Sequence, residues 1–139
     1  MRQASGTLYV DTHGQGLVEF TDAVLEWVAD AGVSEGLLTL FCRHTSASLL
    51  IQENAAREVR ADIQDYFATI APEDPTRYRH DDEGPDDMPA HLRTALTSVQ
   101  LSIPVRDGRP VLGTWQGIYL FEHRRKPHRR EVAAHVIGT

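Results

Sequence analysis

The chain has 139 residues, of which 41% are hydrophobic and 24% are charged, and this composition is typical of one folded domain rather than a disordered chain. No apolar run reaches the roughly 20 residues that a membrane-spanning helix requires, and the first residues lack the apolar stretch of a signal peptide. Cys42 is the single cysteine, which excludes an internal disulfide. We therefore expect one domain over residues 1–139, no membrane contact, and a cytoplasmic protein.

The net charge of −6 contains two opposite concentrations of charge. The segment HDDEGPDDMPAH, residues 80–91, holds five of the 20 acidic residues. The segment HRRKPHRR, residues 123–130, holds five of the 14 lysines and arginines. The overall acidity disfavours nucleic acid as a partner, and the basic run lacks the interleaved aromatic residues of single-stranded nucleic-acid binders.

In the first half of the chain, a short strand is predicted over 7–10 and is followed by a glycine-broken loop. FTDAVLEWVADAG then has the spacing of a helix, with Thr21 as its cap and Gly32 at its end. GLLTLFCRHT (36–45) has bulky residues on both faces, which is typical of a central strand. A second helix is predicted from about Asn54 to Ile70, where apolar residues form one stripe.

The second half begins with a short helix, MPAHLRTALTS, and is then rich in strands. SVQLSIPV alternates between apolar and polar residues, Asp107-Gly108 is a hairpin turn signal, and PVLGTWQGIYLFEH is predicted as one long strand. REVAAHVIG supplies the last strand. Because strands and helices do not alternate regularly, the sequence predicts an α+β domain with a largely antiparallel sheet and helices packed on one side.

The first candidate for chemistry is the segment HTSASLL, which follows the central strand. A strand that continues to His44 places this ring at a strand end, where it can reach a cleft. Thr45, Ser46 and Ser48 then offer three hydroxyls that can donate to phosphate or to metal-bound water. The alternative, which the pattern supports equally, is a strand end whose Ser and Thr residues cap the next turn.

The acidic segment is the second candidate, because His80 and His91 flank five carboxylates. Imidazole and carboxylate together suit zinc, manganese or iron, whereas carboxylates alone suit magnesium. No compact ligand motif such as HExxH is present. The pattern alone slightly favours a solvent-exposed acidic turn over a metal site.

The third candidate is GTWQGIYLFEHRR. Glu122 ends an apolar strand face, so it is either exposed at the strand tip or a buried acid with a raised pKa. Trp115 could stack on a planar ring, although tryptophan in a strand is more often part of a core. Arg124 could bind a phosphate, and the alternative is a solvated hairpin loop.

Together, HTSASLL, HDDEGPDDMPAH, IPV…GRPVLGTWQGIYL and EHR resemble the YjbQ family, also called the secondary thiamine-phosphate synthase family. The resemblance covers nearly the whole chain. It implies a compact YjbQ-like α+β domain that assembles as a homotrimer, with a site near the subunit boundary. It also implies a transferase with weak thiamine-phosphate synthase activity, which joins hydroxymethylpyrimidine diphosphate to thiazole phosphate. The alternative is a non-catalytic protein that binds or senses a small phosphorylated metabolite in the same pocket.

The resemblance also favours a metal site in the acidic segment, where the pattern alone slightly favours an exposed turn. It suggests that His44, His80 and His91 converge on a divalent cation, with zinc preferred and manganese or magnesium as alternatives. Nearby carboxylates would serve as extra ligands or would orient the imidazoles. The residues then assigned as catalytic are Glu122, Asp86 and Asp87, of which the two aspartates depart from many relatives. Those assigned to substrate binding are Thr45, Ser46, Ser48, Asn54, Trp115 and Arg124.

Overall fold

The computed structural model describes residues 1–139 and contains eight strands and three α-helices. The strands are β1 (Arg2–Asp11), β2 (Gly16–Glu19), β3 (Gly36–Cys42), β4 (Ala47–Glu53), β5 (Gln100–Arg106), β6 (Arg109–Pro110), β7 (Gln116–Glu122) and β8 (Arg129–Gly138). The helices are α1 (Thr21–Ala31), α2 (Arg57–Ile70) and α3 (Asp87–Leu96), and Pro75–Arg77 forms one 3-10 turn. None of the three helices has an apolar stretch of the length that spanning a bilayer requires.

The strands form two antiparallel sheets, one with the order β1-β8-β3-β5-β6 and a smaller one with the order β2-β7-β4. The two sheets and α1 share one hydrophobic core, in which Val24, Leu38, Leu49, Leu120 and Val136 are all fully buried. The predicted α+β class, with one domain and antiparallel pairing, is confirmed. The sequence did not show that the strands divide into two sheets.

Helix α1 packs against a strand at a glycine, and helix α2 packs against a strand through a pair of aromatic rings. A Cβ atom at Gly6 of β1 would lie 2.7 Å from Nε1 of Trp27, so the absence of a side chain there lets α1 approach the strand. On the small sheet, Phe67 of α2 meets Phe121 of β7 edge-on, with ring centroids 5.4 Å apart. α3 also packs near this sheet, against β4.

Three apolar side chains on the outward face of the larger sheet are exposed. Leu37 of β3 pairs in register with Ile137 of β8, and Phe41 follows on the same face of β3. Their exposed fractions are 44%, 39% and 47% respectively. An antiparallel sheet tolerates one solvated face, but apolar side chains of this size there are available for contact with another molecule.

The predicted hairpin turn at Asp107–Gly108 is confirmed. Asp107 and Gly108 have φ angles of 51° and 74°, as a two-residue hairpin turn with left-handed residues requires. The Glu19 side chain lies close to Gly117 of β7, because a Cβ atom at Gly117 would be only 2.6 Å from a carboxylate oxygen of Glu19.

Some element boundaries differ from the predictions. The strand predicted over 36–45 ends at Cys42, and the serines that were alternatives for capping a turn lead into β4, which begins at Ala47. Ala47, Ser48 and Leu49 are all buried, so the start of β4 lacks the alternation that identifies a half-exposed strand. The glycine-broken loop contains β2. The long strand predicted over 110–123 is interrupted where the Gly113 N–H donates to the Gln116 side chain. α2 begins at Arg57, because the Glu53 carboxylate accepts from the N–H groups just before it.

Candidate metal centre and adjoining pocket

Four side chains meet at the start of α3: His80, Glu83, Asp87 and His91. One potential ligand atom from each lies within 4.8 Å of the others. Oδ2 of Asp87 lies 2.9 Å from Nε2 of His80 and 3.2 Å from Nε2 of His91. The Glu83 carboxylate lies 3.0 Å from the same nitrogen of His80. Two imidazoles and two carboxylates form a donor set that suits zinc, manganese or iron.

Local structure explains why these residues converge. Asp87 and His91 are one helical turn apart on α3, so their side chains lie on the same face. His80 and Glu83 come from the preceding loop, which reverses at Gly84 with a φ angle of 98°. Asp87 also lies in the first turn of α3, where the helix dipole favours a negative charge.

The protonation of His91 is constrained by its other ring nitrogen. Nδ1 of His91 lies 3.0 Å from the carbonyl oxygen of Thr45, which only accepts hydrogen bonds, so Nδ1 carries a proton. In the neutral ring, Nε2 then presents a lone pair to the Asp87 carboxylate oxygen 3.2 Å away. A nitrogen lone pair and a carboxylate oxygen repel each other at this distance. The contact is favourable only if a cation lies between the two atoms or if Nε2 also carries a proton, which makes the ring a cation.

Arg124 holds the Asp87 carboxylate in place and is itself paired with Asp86. Arg124 donates from Nη1 to Oδ1 of Asp87 at 2.8 Å, from Nε to Asp86 at 3.0 Å, and from Nη2 to the Glu83 carbonyl at 3.0 Å. Burial alone would raise the pKa of Asp86, but hydrogen bonds from the Arg125 backbone N–H and from Arg124 outweigh it and lower that pKa. All three guanidinium nitrogens of Arg124 are engaged, so its side chain orients the neighbouring carboxylates in this conformation.

Glu122 is fully buried and lies in a separate ion-pair network. Its carboxylate accepts from the hydroxyl of Thr12 at 2.6 Å, from Nε of Arg130 at 2.8 Å, and at short range from Nη2 of Arg130. Burial raises its pKa, but the bonds from Arg130 and Thr12 outweigh burial, and the net pKa is lowered. Of the two expected environments, an exposed strand tip and a buried acid with a raised pKa, neither is correct. Glu122 is a buried carboxylate that stays ionised.

The basic run is largely neutralised within the chain. Arg124 pairs with Asp86 and Asp87, Arg125 pairs with Glu73, and Arg130 pairs with Glu122. The interpretation of this run as a simple solvated loop is therefore wrong for Arg124 and Arg130, whose side chains are largely buried, whereas the paired Arg125 is still exposed to solvent. Their pairing also removes much of the positive charge that a nucleic-acid surface would need.

The predicted hydroxyl cluster is divided between the interior and the surface. Ser48 is buried and lies 2.9 Å from Nε2 of His123, and Ser46 accepts from Arg130 at 3.1 Å. Thr45 is exposed and lies beside His91. Only Thr45 is therefore placed to meet a ligand near the four-residue group.

His44 does not join the other two histidines within one chain. Its Nε2 accepts the backbone N–H of Glu131 at 2.7 Å. Burial and then the charge of Arg130 lower the pKa of His44, so the ring is neutral near pH 7 and carries its proton on Nδ1. While this hydrogen bond lasts, neither nitrogen offers a lone pair to a metal, and the expected three-histidine site is not formed in a single chain.

Asn54 and Trp115 lie far from the four-residue group. The Asn54 N–H donates to the carbonyl of Trp115 at 3.1 Å, beside the Glu53–Gln116 end of the paired strands β4 and β7. The Ala47–Glu122 end of these strands is the one near Arg124. Six residue steps separate the two ends by about 20 Å. Trp115 is 63% exposed and is not part of a core either.

A pocket of about 570 Å³ adjoins the group on the His91 side. It is lined by Phe41, Cys42, Arg43, His44, Thr45, His91, Thr94, Ala95 and Val99. Six of these residues, Phe41, Cys42, Arg43, Thr94, Ala95 and Val99, were not assigned to a site from the sequence. The positions of Thr94 and Ala95, three and four residues after His91 in one helix, were a usable signal for two of them.

Comparison with known proteins agrees with this architecture. The family model described as UPF0047 protein YjbQ-like matches residues 6–139. The chain belongs to the YjbQ family. A UPF0047 protein of Synechocystis is 52% identical over 137 residues, which are 99% of this chain and 93% of the relative. UPF0047 protein YjbQ of Escherichia coli O157:H7 is 41% identical over 133 residues, 95% of this chain and 96% of the relative.

Solved structures of similar proteins share the fold. A YbjQ-like protein of unknown function from Sulfolobus solfataricus superposes with a TM-score of 0.91 at 27% identity and covers 99% of both chains. A conserved hypothetical protein from Thermus thermophilus gives a TM-score of 0.82 at 35% identity, over 93% of this chain and 97% of that one. The predicted family and the predicted YjbQ-like fold are confirmed.

Proposed function

We propose that this YjbQ-family protein is a metal-dependent enzyme that acts on a small phosphorylated metabolite. A divalent cation, zinc in preference to manganese or magnesium, would bind to the group formed by His80, Glu83, Asp87 and His91. The geometry within the single chain favours these four residues over the three histidines predicted from the sequence.

One observation carries the proposal. Nδ1 of His91 faces a carbonyl oxygen at 3.0 Å while its Nε2 faces the Asp87 carboxylate at 3.2 Å. The carbonyl fixes the tautomer and aims the Nε2 lone pair, as backbone carbonyls commonly do for metal-ligating histidines. The Asp87 side chain is only 4% exposed, so water screens this arrangement poorly and a positive charge between the two groups has a large effect.

The reaction proposed is the one that the family resemblance suggests, a weak thiamine-phosphate synthesis. The carbon attached to the pyrimidine ring loses diphosphate and forms its new bond to the thiazole nitrogen. A bound divalent cation would supply positive charge to stabilise the departing diphosphate. Arg124 keeps Asp87 in the ligating orientation, and no nucleophilic side chain is required, so buried Cys42 serves packing.

The second candidate, a small-metabolite binder without turnover, draws support from Glu122 and Asp86. Both carboxylates have lowered pKa values and are held by arginines, so neither is poised to exchange protons near pH 7. A synthase assay with hydroxymethylpyrimidine diphosphate and thiazole phosphate distinguishes the enzyme from the binder. Turnover that EDTA abolishes and zinc restores supports the enzyme, whereas substrate binding without turnover supports the binder.

We also propose that the chain assembles as a homotrimer, as the resemblance suggests. The open apolar side chains Leu37, Phe41 and Ile137 support a self-association surface on the larger sheet. Light scattering after size-exclusion chromatography should give three times the chain mass. A Leu37→Arg variant should shift to the mass of one chain, and a single-chain mass for the unmodified protein would contradict the proposal.

A further inference from the structure

The β3–β4 connection, residues 43–46, carries the carbonyl that bonds to the ring of His91. That carbonyl belongs to Thr45, whose side chain is exposed. A connection between strands is free to change conformation unless other parts of the protein hold it. The direction of the His91 ring therefore depends on what fixes this connection.

His44 anchors the β3–β4 connection to β8 on one side of Thr45. Its Nε2 accepts the backbone N–H of Glu131 at 2.7 Å. The carbonyl of Glu131 accepts the N–H of Arg43 at 3.2 Å. One residue of β8 therefore bonds to two consecutive residues of the connection, and one of these two bonds needs a side-chain acceptor at position 44.

Ser46 anchors the connection on the other side of Thr45. Its carbonyl accepts the His123 N–H at 3.2 Å and Nη2 of Arg130 at 3.2 Å, and its hydroxyl accepts from the same Nη2 at 3.1 Å. Arg130 is only 4% exposed, and its Nε donates to Glu122 at 2.8 Å. The buried ion pair of these two residues therefore holds the connection through Ser46.

We infer that His44 and Ser46 are positioning residues for the proposed metal site. They hold the carbonyl of Thr45, which lies between them and orients the His91 ring. The inference rests on the proposed function and adds to it two residues that do not themselves touch the metal. It also gives His44 a role different from the ligand role that was expected from the sequence.

Two substitutions of His44 distinguish a positioning residue from a ligand. Glutamine places an amide oxygen near the position of Nε2 and can accept the Glu131 N–H, whereas leucine accepts no hydrogen bond. His44→Gln should keep the zinc affinity of the unmodified protein, as measured by competition with a chromogenic chelator. His44→Leu should bind zinc about tenfold more weakly, since loss of a group that orients a ligand costs at least about this factor.

A second measurement follows the His91 ring itself and needs no metal. Whether this ring is neutral or charged, its Nδ1 carries the proton that bonds to the Thr45 carbonyl. Protein with isotope-labelled histidine should show this proton as an NMR signal that is protected from exchange with water, and the His91→Gln variant assigns the signal by its loss. The signal should persist in His44→Gln and disappear in His44→Leu.

Two results would overturn the inference and leave the four-residue group standing. Equal and severe loss of zinc in His44→Gln and His44→Leu would show that His44 is a ligand in the assembled protein. Unchanged zinc affinity and an unchanged proton signal in His44→Leu would show that the connection does not need this side chain.

Zinc-free unmodified protein that takes up no added zinc would instead refute the proposed function, and the proton signal then decides the inference by itself. Loss of the signal in His44→Leu alone supports the positioning of His91. A signal that is the same in both His44 variants overturns it.

Ser46→Ala is the second variant, which decides the matter if His44→Leu does not fold. It removes the hydroxyl contact with Arg130 and keeps the carbonyl contact, so it should weaken zinc binding less than His44→Leu and speed the exchange of the His91 proton. Zinc affinity and proton exchange identical to those of the unmodified protein would overturn the inference.

Discussion

Arg124 and Asp87 form a charge-assisted hydrogen bond of 2.8 Å, between Nη1 and Oδ1, at the base of the histidine group. The other oxygen of Asp87 faces His80 and His91. One carboxylate therefore joins a fixed guanidinium to the proposed ligand set. The guanidinium stops the carboxylate from rotating, and this restraint is typical of the residues that surround metal ligands.

Arg124→Lys should weaken zinc binding by about tenfold or more, because an ammonium group cannot make the three directed hydrogen bonds of the guanidinium. Competition with a chromogenic chelator measures the affinity. Arg129→Lys is the matched control, since Arg129 lies in the same basic run and stacks over Tyr9 without touching the acidic loop. Equal loss of affinity in both variants would point to general electrostatics instead.

The contributions of Glu122 and Arg130 to the free energy of unfolding should depend on each other. Each is nearly or fully buried, and removal of one partner leaves an uncompensated charge in the interior. Glu122→Gln and Arg130→Gln should each lower the free energy of unfolding by about 3 kcal/mol. The double variant should cost clearly less than the sum, as urea unfolding can establish. Strict additivity would show that the two side chains do not depend on each other.

His123 should make the protein sensitive to mild acid. Burial, followed by the charges of Arg93 and Arg130, lowers the pKa of His123 to about 3, whereas its ordinary value is 6.5. Between these values the unfolded chain binds a proton that the folded chain does not. Stability should therefore fall as the pH drops below 6.5, by up to about 1.4 kcal/mol per pH unit.

The His123→Gln variant isolates this contribution, because an amide can replace the bond to Ser48 and does not titrate. Its unfolding free energy should be lower than that of the unmodified protein at pH 7, and the difference should shrink between pH 6.5 and 5. Urea denaturation at three pH values provides the comparison. Parallel pH profiles for the two proteins would show that His123 is not the titrating group.

The sequence predicted elements that have a clear period or a clear turn signal. Helix α1, the alternating strand β5 and the Asp107–Gly108 turn belong to this class. Strand β4 was missed because both of its faces are buried at Ala47, Ser48 and Leu49, so its pattern has no period of two. Hydrophobic periodicity records which face meets water, and it carries no signal where neither face does.

The candidate site was predicted in part for a similar reason. His80, Asp87 and His91 lie within one short segment, and helical spacing brings two of them together. The roles of Arg124 and His44 depend on contacts 37 and 87 residues away along the chain, with Asp87 and Glu131. Such long-range contacts depend on how the two sheets pack, which no local pattern records.

The proposed metal centre is tested most directly by the metal content of protein purified without a histidine tag and without added metal, measured beside the variants Asp87→Asn and Asp81→Asn. Asp81 lies in the same acidic loop but outside the four-residue group, so its variant controls for loss of charge. His91→Gln keeps the Arg124–Asp87 pair and guards against misfolding of Asp87→Asn. We expect about one zinc or manganese ion per chain in the unmodified protein and in Asp81→Asn, and almost none in the other two variants. Metal-free unmodified protein that takes up no added zinc, or undiminished metal in Asp87→Asn and His91→Gln, would contradict the proposed metal centre.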